Sequence, residues 1–367
     1  MMPVVRAGLH AITRSEVTVG VDTHAEVHVA AVIDAVGREL GHASFPTTTA
    51  GYRRLWRWAV GHGHIVSVGV EGTGVYGAGL ARWLASAGAT VVEVDRPDRK
   101  ARRFQGKSDP LDAYAAARAV LSGRATTVPK LRDGRVEMIR TLHVTRRSAV
   151  KSAAQAKNQL HAEIKTAPDQ LRAELRDLTW AKLRDRCAGL RPGGLDDVTA
   201  AVKFTLRSLA RRIVALEAEI ADLDRQLRPL VTATAPTLSA IYGVGLDVAA
   251  TLLVAAGDNP DRLDSPAAFA HLCGAAPIPA SSGKTQRHRL NRGGNRQANH
   301  ALWVIAMVRL RHDPRTKTYR DRRTTEGRSP REIIRCLKTY ISREIHRAIL
   351  TDLGPAIPTE QPVPQAA

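Results

Sequence analysis

The chain has few cysteines, a deficit of acidic residues and no long apolar runs. Its 367 residues include three cysteines, Cys187, Cys273 and Cys336, which lie far apart and show no C-x-x-C spacing. This pattern excludes a disulfide scaffold, makes a zinc site unexpected and predicts a reducing compartment. No run approaches the ~18 apolar residues of a membrane span, and the opening stretch has no apolar signal-peptide core. We therefore expect a cytoplasmic protein without a membrane segment.

The basic residues outnumber the acidic ones by a wide margin. Lys and Arg total 55 against 35 Asp and Glu, which gives a net charge of +20 and a pI near 10.7. Such a charge attracts polyanions and releases their counterions, so nucleic acid is the leading class of partner. Charge alone leaves open a ribosome-associated protein or a merely soluble basic protein. The 44% of hydrophobic residues is enough for a sizeable core.

Residues 15–125 predict an α/β domain. Residues 17–35 consist of two apolar, β-rich runs around a short polar turn, which indicates a hairpin, and a weaker third strand follows at about 39–46. A helix, a buried strand over 65–72, a second helix, a short strand and a third helix come next. The order β-β-β-α-β-α-β-α is typical of the ribonuclease H-like (RuvC-type) fold rather than of a simple doubly wound sheet.

Residues 134–230 predict a basic, α-helical coiled-coil region. A helix over about 135–165 has an apolar face made of Met138, Leu142, Ala149, Ala153 and Leu160. After a turn at 191–197, apolar residues alternate at spacings of three and four, namely Leu206, Leu209, Ile213, Leu216, Ile220, Leu223 and Leu227. Three heptads of this kind indicate a coiled-coil arm or hairpin. An ordinary helical-bundle subdomain is the alternative.

Residues 233–350 predict a mainly α-helical C-terminal domain. Within 237–258, an apolar run, a turn containing Gly243 and Gly245, and a second apolar helix suggest a helix-hairpin-helix, in which backbone N–H groups approach a DNA phosphate. A plain αα-hairpin is the alternative. The Pro-rich residues 354–367 predict a disordered tail.

Four acidic residues occupy the ends of the predicted elements. Asp22 ends the first strand, Glu71 ends the buried strand, and Asp109 and Asp112 lie three apart on one helix. Two-metal phosphoryl transfer needs carboxylates that converge from different elements. This order of acids therefore predicts a divalent-metal site.

Each acid also has a structural explanation. Asp109 before Pro110, with Asp112 three residues on, suits a helix N-terminus, and Asp22 could cap a turn. Glu71 is harder to explain in this way, because it follows an apolar strand. Sugar kinases and actin-like ATPases share the fold, but the chain contains no Walker A motif.

A basic, glycine-rich stretch follows within 271–302. Gly283, Gly293 and Gly294 accompany cations without an intervening acid, and the predicted nucleic-acid-binding residues here are Lys284, Arg287, Arg289, Arg292 and Arg296. Such a backbone can fold around a phosphate. Ser281 and Ser282 stand at its head, where a hydroxyl could attack phosphorus. Ser-Ser-Gly is also ordinary loop sequence.

Taken together, these segments resemble a known family. GVDTHAEVHVAAV, VEGTGVYG, KSDPLDA, IYGVG and GAAPIPASSGKTQRHRLNRGGNR, in this order, are similar to segments of the DEDD-type insertion-sequence transposases, the family of bridge-RNA-guided recombinases. The resemblance covers roughly residues 17–347. It departs from the family's frequent Ser-Gly-Gly, because this chain has Ser282-Gly283-Lys284.

The resemblance implies a catalytic tetrad of Asp22, Glu71, Asp109 and Asp112 that holds Mg²⁺. It also implies a nucleophilic serine, Ser282 with Ser281 as the alternative. The implied partners are donor and target DNA, a guide (bridge) RNA and further copies of the chain, as a dimer or tetramer. The expected function is DNA strand cleavage and exchange.

Two other functions stay open from the residues alone. One is a RuvC-like metal-dependent nuclease or junction resolvase without a covalent serine intermediate. The other is a non-catalytic DNA- or RNA-binding protein whose acids only cap helices and turns.

Overall fold

The computed structural model describes residues 15–94, 108–284 and 288–354. The chain divides into two compact units, residues 1–133 and 134–367. Arg287 and the predicted disordered tail beyond Gly354 lie outside the described residues.

The first unit is built on a five-stranded mixed sheet. Its strands are β1 (Glu16–Thr23), β2 (Val27–Asp34), β3 (Glu39–Pro46), β4 (His64–Glu71) and β5 (Val91–Val94). Their order in the sheet is β3-β2-β1-β4-β5. The first three strands pair antiparallel, whereas β4 runs parallel to both β1 and β5. The antiparallel start followed by strand–helix alternation is therefore confirmed.

Helices cover both faces of this sheet. Helices α1 (Thr49–Val60) and α2 (Ala78–Ser86) share a core with Val19 and Val21 of β1. Helix α3 (Asp109–Leu121) shares a core with alternate residues of β2 on the other face. Because side chains alternate along a strand, two opposite apolar faces of this kind explain why β1 and β2 are buried along most of their length.

The second unit is helical in the described residues, apart from one two-stranded ribbon. Its helices are α4 (Arg135–Thr166), α5 (Asp169–Leu175), α6 (Trp180–Ala188), α7 (Val198–Thr234), α8 (Pro236–Ala240), α9 (Leu246–Ala256), α10 (Pro266–Leu272), α11 (Arg296–His312), α12 (Pro314–Thr325) and α13 (Pro330–Leu353). The ribbon consists of β6 (Ile278–Pro279) and β7 (His288–Arg289).

Helices α4 and α7 pack against each other in antiparallel fashion. Arg146 Nε lies 2.5 Å from Asp224 Oδ1, and Lys157 Nζ lies 2.8 Å from Glu217 Oε1, so partner numbers fall along α7 as they rise along α4. Within the predicted seam of α7, burial differs from one position to the next. Leu206, Ile213 and Leu227 are fully buried, while Leu209, Leu216, Ile220 and Leu223 are half-buried. The seam therefore leaves an apolar edge partly accessible along its middle.

The prediction that Met138 belongs to the apolar face of α4 is wrong. Met138 is 55% exposed, whereas its neighbour Ile139 is fully buried. Ile139, together with Val136, joins the core that α9, α11 and α13 form with the end of α7. The sequence of α4 does not indicate that Ile139 is buried in place of Met138, because the core that buries Ile139 is formed by distant parts of the chain.

The three cysteines are free thiols, and two of them are buried. Burial raises the pKa of Cys187 to about 11 and that of Cys273 to about 12. Within the described part of the chain, no helix is long and apolar enough to cross a membrane.

Candidate metal centre and nucleic-acid interface

Two glycines bring helix α3 into close contact with the sheet. A β-carbon on Gly20 of β1 would lie 2.0 Å from the carbonyl oxygen of Ala113, and one on Gly69 of β4 would lie 2.7 Å from Val120 Cγ2. Only hydrogen fits at the first of these positions. Asp22 and Glu71 follow the two glycines by two residues, so they point to the same face of the sheet as α3.

The parallel pairing of β1 and β4 places the first two acids side by side. Val21 pairs with Val70, so Asp22 and Glu71 follow at adjacent strand ends. The hydroxyl of Thr23 donates to the carbonyl oxygen of Glu71 at 2.8 Å and ties these ends together. Asp22 is 7% exposed, and Glu71 is half-buried.

The N-terminal turn of α3 brings two further acids towards Asp22. The helix cap is Ser108 rather than Asp109, and Asp109 is the first residue of the helix. The alternative explanation, in which Asp109 itself caps this helix, is therefore wrong by one residue. Asp112 is only 5% exposed.

Burial raises the pKa of Asp22 above that of an ordinary aspartate. The charges of Asp112 and Asp109 act in the same direction, while the nearby His24 opposes them. Burial and crowding of like charge are the conditions that a bound cation relieves, because it stabilises the ionised carboxylates.

His24 completes the group. Its Nε2 lies 3.1 Å from Asp22 Oδ2 and 3.5 Å from Asp109 Oδ1. Ligand atoms of Asp22, His24 and Asp109 all lie within 4.8 Å of one another. Two carboxylates and an imidazole form a donor set that suits a divalent cation. Within the described residues, neither Glu71 nor Asp112 belongs to this closest group.

His24 was not among the candidate residues predicted from the sequence. Its signal is the Asp-x-His spacing at the end of β1, where residues two apart share a face. That spacing becomes informative only when the helix that carries Asp109 is known to lie beside it.

The second unit presents the serines on the β6–β7 ribbon. Ile278 pairs with Arg289 and Pro279 with His288. Ser281 and Ser282 follow β6 and are exposed. Gly283 has a φ of 58°, a left-handed conformation that glycine adopts without strain.

The predicted phosphate-binding residues of this segment are on the surface. Lys284, Arg289, Arg292 and Arg296 are exposed. Arg296 begins α11, while Arg287 lies outside the described residues.

The predicted helix-hairpin-helix contains one very short helix. Helix α8 has five residues, and Gly243 (φ 90°) and Gly245 separate it from the eleven residues of α9. A β-carbon on Gly245 would meet nothing within 4 Å, so this backbone is open. Asp247 in the first turn of α9 lies 3.0 Å from His143 Nε2 and 3.2 Å from Arg146 Nη1.

Family comparison assigns both parts of the chain to transposases. Residues 19–167 match a family model described as a transposase, the DEDD transposase of the IS110 type, and residues 235–321 match the transposase family IS116/IS110/IS902. The chain belongs to the IS110 family of transposases. This membership confirms the resemblance to DEDD-type insertion-sequence transposases.

Two curated proteins of insertion elements are similar to part of the chain. An uncharacterised 43.6 kDa protein of insertion element IS110 from Streptomyces coelicolor is 33% identical over 134 residues, which cover 36% of this chain and 33% of the relative. An uncharacterised 42 kDa protein of insertion element IS900 from Mycobacterium paratuberculosis is 31% identical over 123 residues, or 33% and 31% of the two chains. The similarity thus spans about one third of the length of these relatives.

Proposed function

We propose that this chain is a DNA transposase that cleaves and exchanges strands with a divalent metal ion and a serine nucleophile. The observation that carries the proposal is the convergence of Asp22, His24 and Asp109, with the buried Asp112 in the same helical turn as Asp109. Membership in the IS110 family supports a phosphodiester as the substrate of this cluster.

The domain assignment rests on topology. The strand order β3-β2-β1-β4-β5, with α3 on the face that carries Asp22, supports a ribonuclease H-like, RuvC-type domain over residues 15–125. Residues 134–230 would form the coiled-coil region, and residues 233–350 the C-terminal transposase domain.

The metal centre would be held by the acids of the first unit. Asp22 and Asp109 supply carboxylate oxygens, His24 an imidazole nitrogen, and Glu71 and Asp112 further oxygens beside them. Mg²⁺ is the proposed ion, since carboxylates are its preferred protein ligands. When bound, such an ion polarises a phosphoryl oxygen.

Ser282 would be the nucleophile. Its Oγ forms a bond to phosphorus, one bridging P–O bond of the DNA strand breaks, and the departing oxygen takes up a proton while the serine hydroxyl loses one. Attack on the same phosphorus by the hydroxyl of another strand then releases the serine and joins the strands. Exposure of Ser282 supports this role, and Ser281 is the alternative.

Several groups would bind the nucleic acid. Lys284, Arg287, Arg289, Arg292 and Arg296 would contact phosphates, as would the backbone at Gly243 and Gly245. The carboxylate of Asp247, in the first turn of α9, would repel a phosphate bound at Gly245. Its pairing with His143 and Arg146 offsets this negative charge. A guide RNA and assembly into a dimer or tetramer are proposed on the family resemblance. The partly accessible seam of α7 supports the assembly of several copies.

A strand-exchange assay with paired donor and target DNA tests the proposal. Asp22→Asn and Ser282→Ala should each abolish exchange, and Ser282→Ala should also abolish a covalent protein–DNA adduct. Asp34→Asn is the matched control. Asp34 ends β2 far from the position that pairs with Asp22, its carboxylate accepts hydrogen bonds from Val36 N and Arg38 N, and it does not belong to the metal group. Ser281→Ala should retain the adduct.

Exchange that survives both Asp22→Asn and Ser282→Ala would refute the proposal. Metal-dependent cleavage without an adduct would instead support a junction resolvase or nuclease. Binding that is unchanged in Asp22→Asn, without cleavage by the wild type, would indicate a non-catalytic nucleic-acid-binding protein.

A further inference from the structure

A basic cleft lies in the second unit where the segment after β7 meets α11 and α13. The segment contributes Leu290 and Arg292, and α11 contributes Arg296 and Trp303. One face of α13 contributes Arg331, Arg335 and Lys338. The α13 residues were not among the candidate residues found in the sequence.

The backbone makes one wall of the cleft rigid. A β-carbon on Gly294 would lie 2.4 Å from the backbone nitrogen of Gly274, so the two chain segments touch directly. Asn299 secures the same place, since its Nδ2 donates to the carbonyl oxygens of Cys273 and Gly274 at 2.8 and 2.9 Å. The cleft is therefore bounded by fixed backbone rather than by mobile side chains alone.

Among the described residues, five cations and no carboxylate line the cleft. These are Arg292, Arg296, Arg331, Arg335 and Lys338, and none of them has an ion-pair partner within the described part of the chain. The carboxylate nearest in sequence, Glu332, accepts from the backbone and hydroxyl of Ser329 at the N-cap of α13 and pairs with Arg328, so its single charge offsets only part of that of Arg335. An excess of positive charge in a concave site favours the binding of an anionic ligand.

Lys338 is positioned by a neutral group. Its Nζ donates to Asn299 Oδ1 at 2.9 Å, which leaves the other two ammonium hydrogens for a ligand. Burial lowers the pKa of Lys338, and the charge of Arg335 acts in the same direction. A bound anion would oppose both effects, because it stabilises the charged ammonium.

An aromatic side chain stands beside the cations. Trp303 lies one helical turn beyond Asn299 on α11 and is 41% exposed. The ring of His300 stacks on it with centroids 5.4 Å apart and an interplanar angle of 20°. An exposed indole next to guanidinium groups is the arrangement that proteins use to hold an unpaired base and its phosphate.

We infer that this cleft binds one nucleotide of a single-stranded segment, with the phosphate on Arg331, Arg335 and Lys338 and the base against Trp303. The inference rests on the proposed function only in taking nucleic acid as the ligand. A single strand is specified because the faces of bases inside a duplex are already stacked on each other. None of the residues that form this site is one of the acids of the first unit, Ser281 or Ser282.

Binding of fluorescent 12-nucleotide probes to the full-length protein tests the inference. Single-stranded DNA, single-stranded RNA and duplex DNA of one sequence are titrated without divalent metal at several salt concentrations. Arg331→Gln combined with Arg335→Gln should weaken single-strand binding at least tenfold, and the slope of log affinity against log salt should fall by about 1.4, or ~0.7 for each lost phosphate contact. Arg343→Gln combined with Arg347→Gln, exposed on the same helix outside the cleft, should weaken it less than threefold.

Substitutions of the indole test the base contact. Trp303→Leu should weaken single-strand binding roughly tenfold while duplex binding stays within twofold, and Trp303→Phe should restore most of the loss. Each variant must show the thermal unfolding of the wild type. Tighter binding of RNA or of DNA identifies the strand that the cleft serves, and either result supports the inference.

Equal losses in the two double variants would overturn the phosphate assignment. Equal losses of single-strand and duplex binding in Trp303→Leu, or no rescue by Trp303→Phe, would overturn the base assignment. The assay involves neither metal nor strand exchange. A failure of the proposed catalysis therefore leaves its result standing, and a failure of the cleft leaves the catalytic proposal untouched.

Discussion

Gly20 of β1 and Ala113 of α3 pack so closely that a single methyl group on the glycine would lie 2.0 Å from the alanine carbonyl oxygen. This contact sets the distance between the sheet and the helix that carries Asp109 and Asp112. Asp22 lies two residues beyond Gly20 on the same face, so the approach of the two backbones controls the approach of the acids.

Gly20→Ala should displace α3 and weaken the metal centre. The obstructing atom belongs to the backbone and cannot rotate away, so we expect a loss of roughly 1–3 kcal/mol of unfolding free energy and weaker binding of Mn²⁺. Thermal denaturation and Mn²⁺ titration measure the two effects. Gly245→Ala is the control, because a β-carbon there would meet nothing within 4 Å. Wild-type behaviour of Gly20→Ala would contradict the role of this contact.

His24→Ala should change the choice of metal ion. An imidazole ligand favours Mn²⁺ over Mg²⁺, which prefers oxygen, so Mn²⁺ affinity should fall roughly tenfold while Mg²⁺ affinity changes less. Electron paramagnetic resonance of free Mn²⁺, with Mg²⁺ as competitor, measures both constants. His64→Ala, exposed at the start of β4, should leave both unchanged. Equal changes for the two ions would exclude His24 as a ligand.

His28 should make the stability of the first unit depend on pH. Its ring is buried and stacks on Tyr52 with centroids 5.8 Å apart, and neither ring nitrogen has a hydrogen-bond partner among the described residues. Burial lowers the pKa of His28 from 6.5 to about 4, and His24 acts in the same direction. Between these two values the unfolded chain binds a proton that the folded chain does not.

The free energy of unfolding should therefore be highest above pH 6.5 and should fall as the pH drops towards 4, by up to roughly 3 kcal/mol. Urea unfolding at pH 4.5, 5.5 and 7 measures this slope. His28→Leu should flatten it, whereas His64→Leu at an exposed site should not. An unchanged slope in His28→Leu would show that another group is responsible.

Two apolar positions of α7 should differ sharply in their contribution to stability. Leu206 is fully buried, whereas Val214 is 43% exposed. Leu206→Ala should cost ~2–5 kcal/mol of unfolding free energy, because it leaves a cavity, and Val214→Ala should cost less than about 0.5 kcal/mol. Chemical denaturation compares them. A similar cost at both sites would mean that Val214 is covered in solution, as it would be by a second copy of the chain.

Local patterns in the sequence were sufficient for most of the elements. Apolar, β-rich runs around a short polar turn predicted β1 and β2, and spacings of three and four predicted the long helix α7, because each pattern is a property of a single segment. Helical spacing failed at Met138, where the burial of Ile139 depends on α9, α11 and α13.

By itself, the sequence determined the order of strands and helices, the excess of positive charge and the four acids at the ends of their elements. The tertiary structure decided that His24 joins Asp22 and Asp109, since that group depends on how closely α3 crosses the sheet. It also decided that Arg331, Arg335 and Lys338 of α13 line one cleft with Trp303 of α11. Both groups combine residues from different elements, and packing between elements, unlike periodicity within one, has no signature in a single segment.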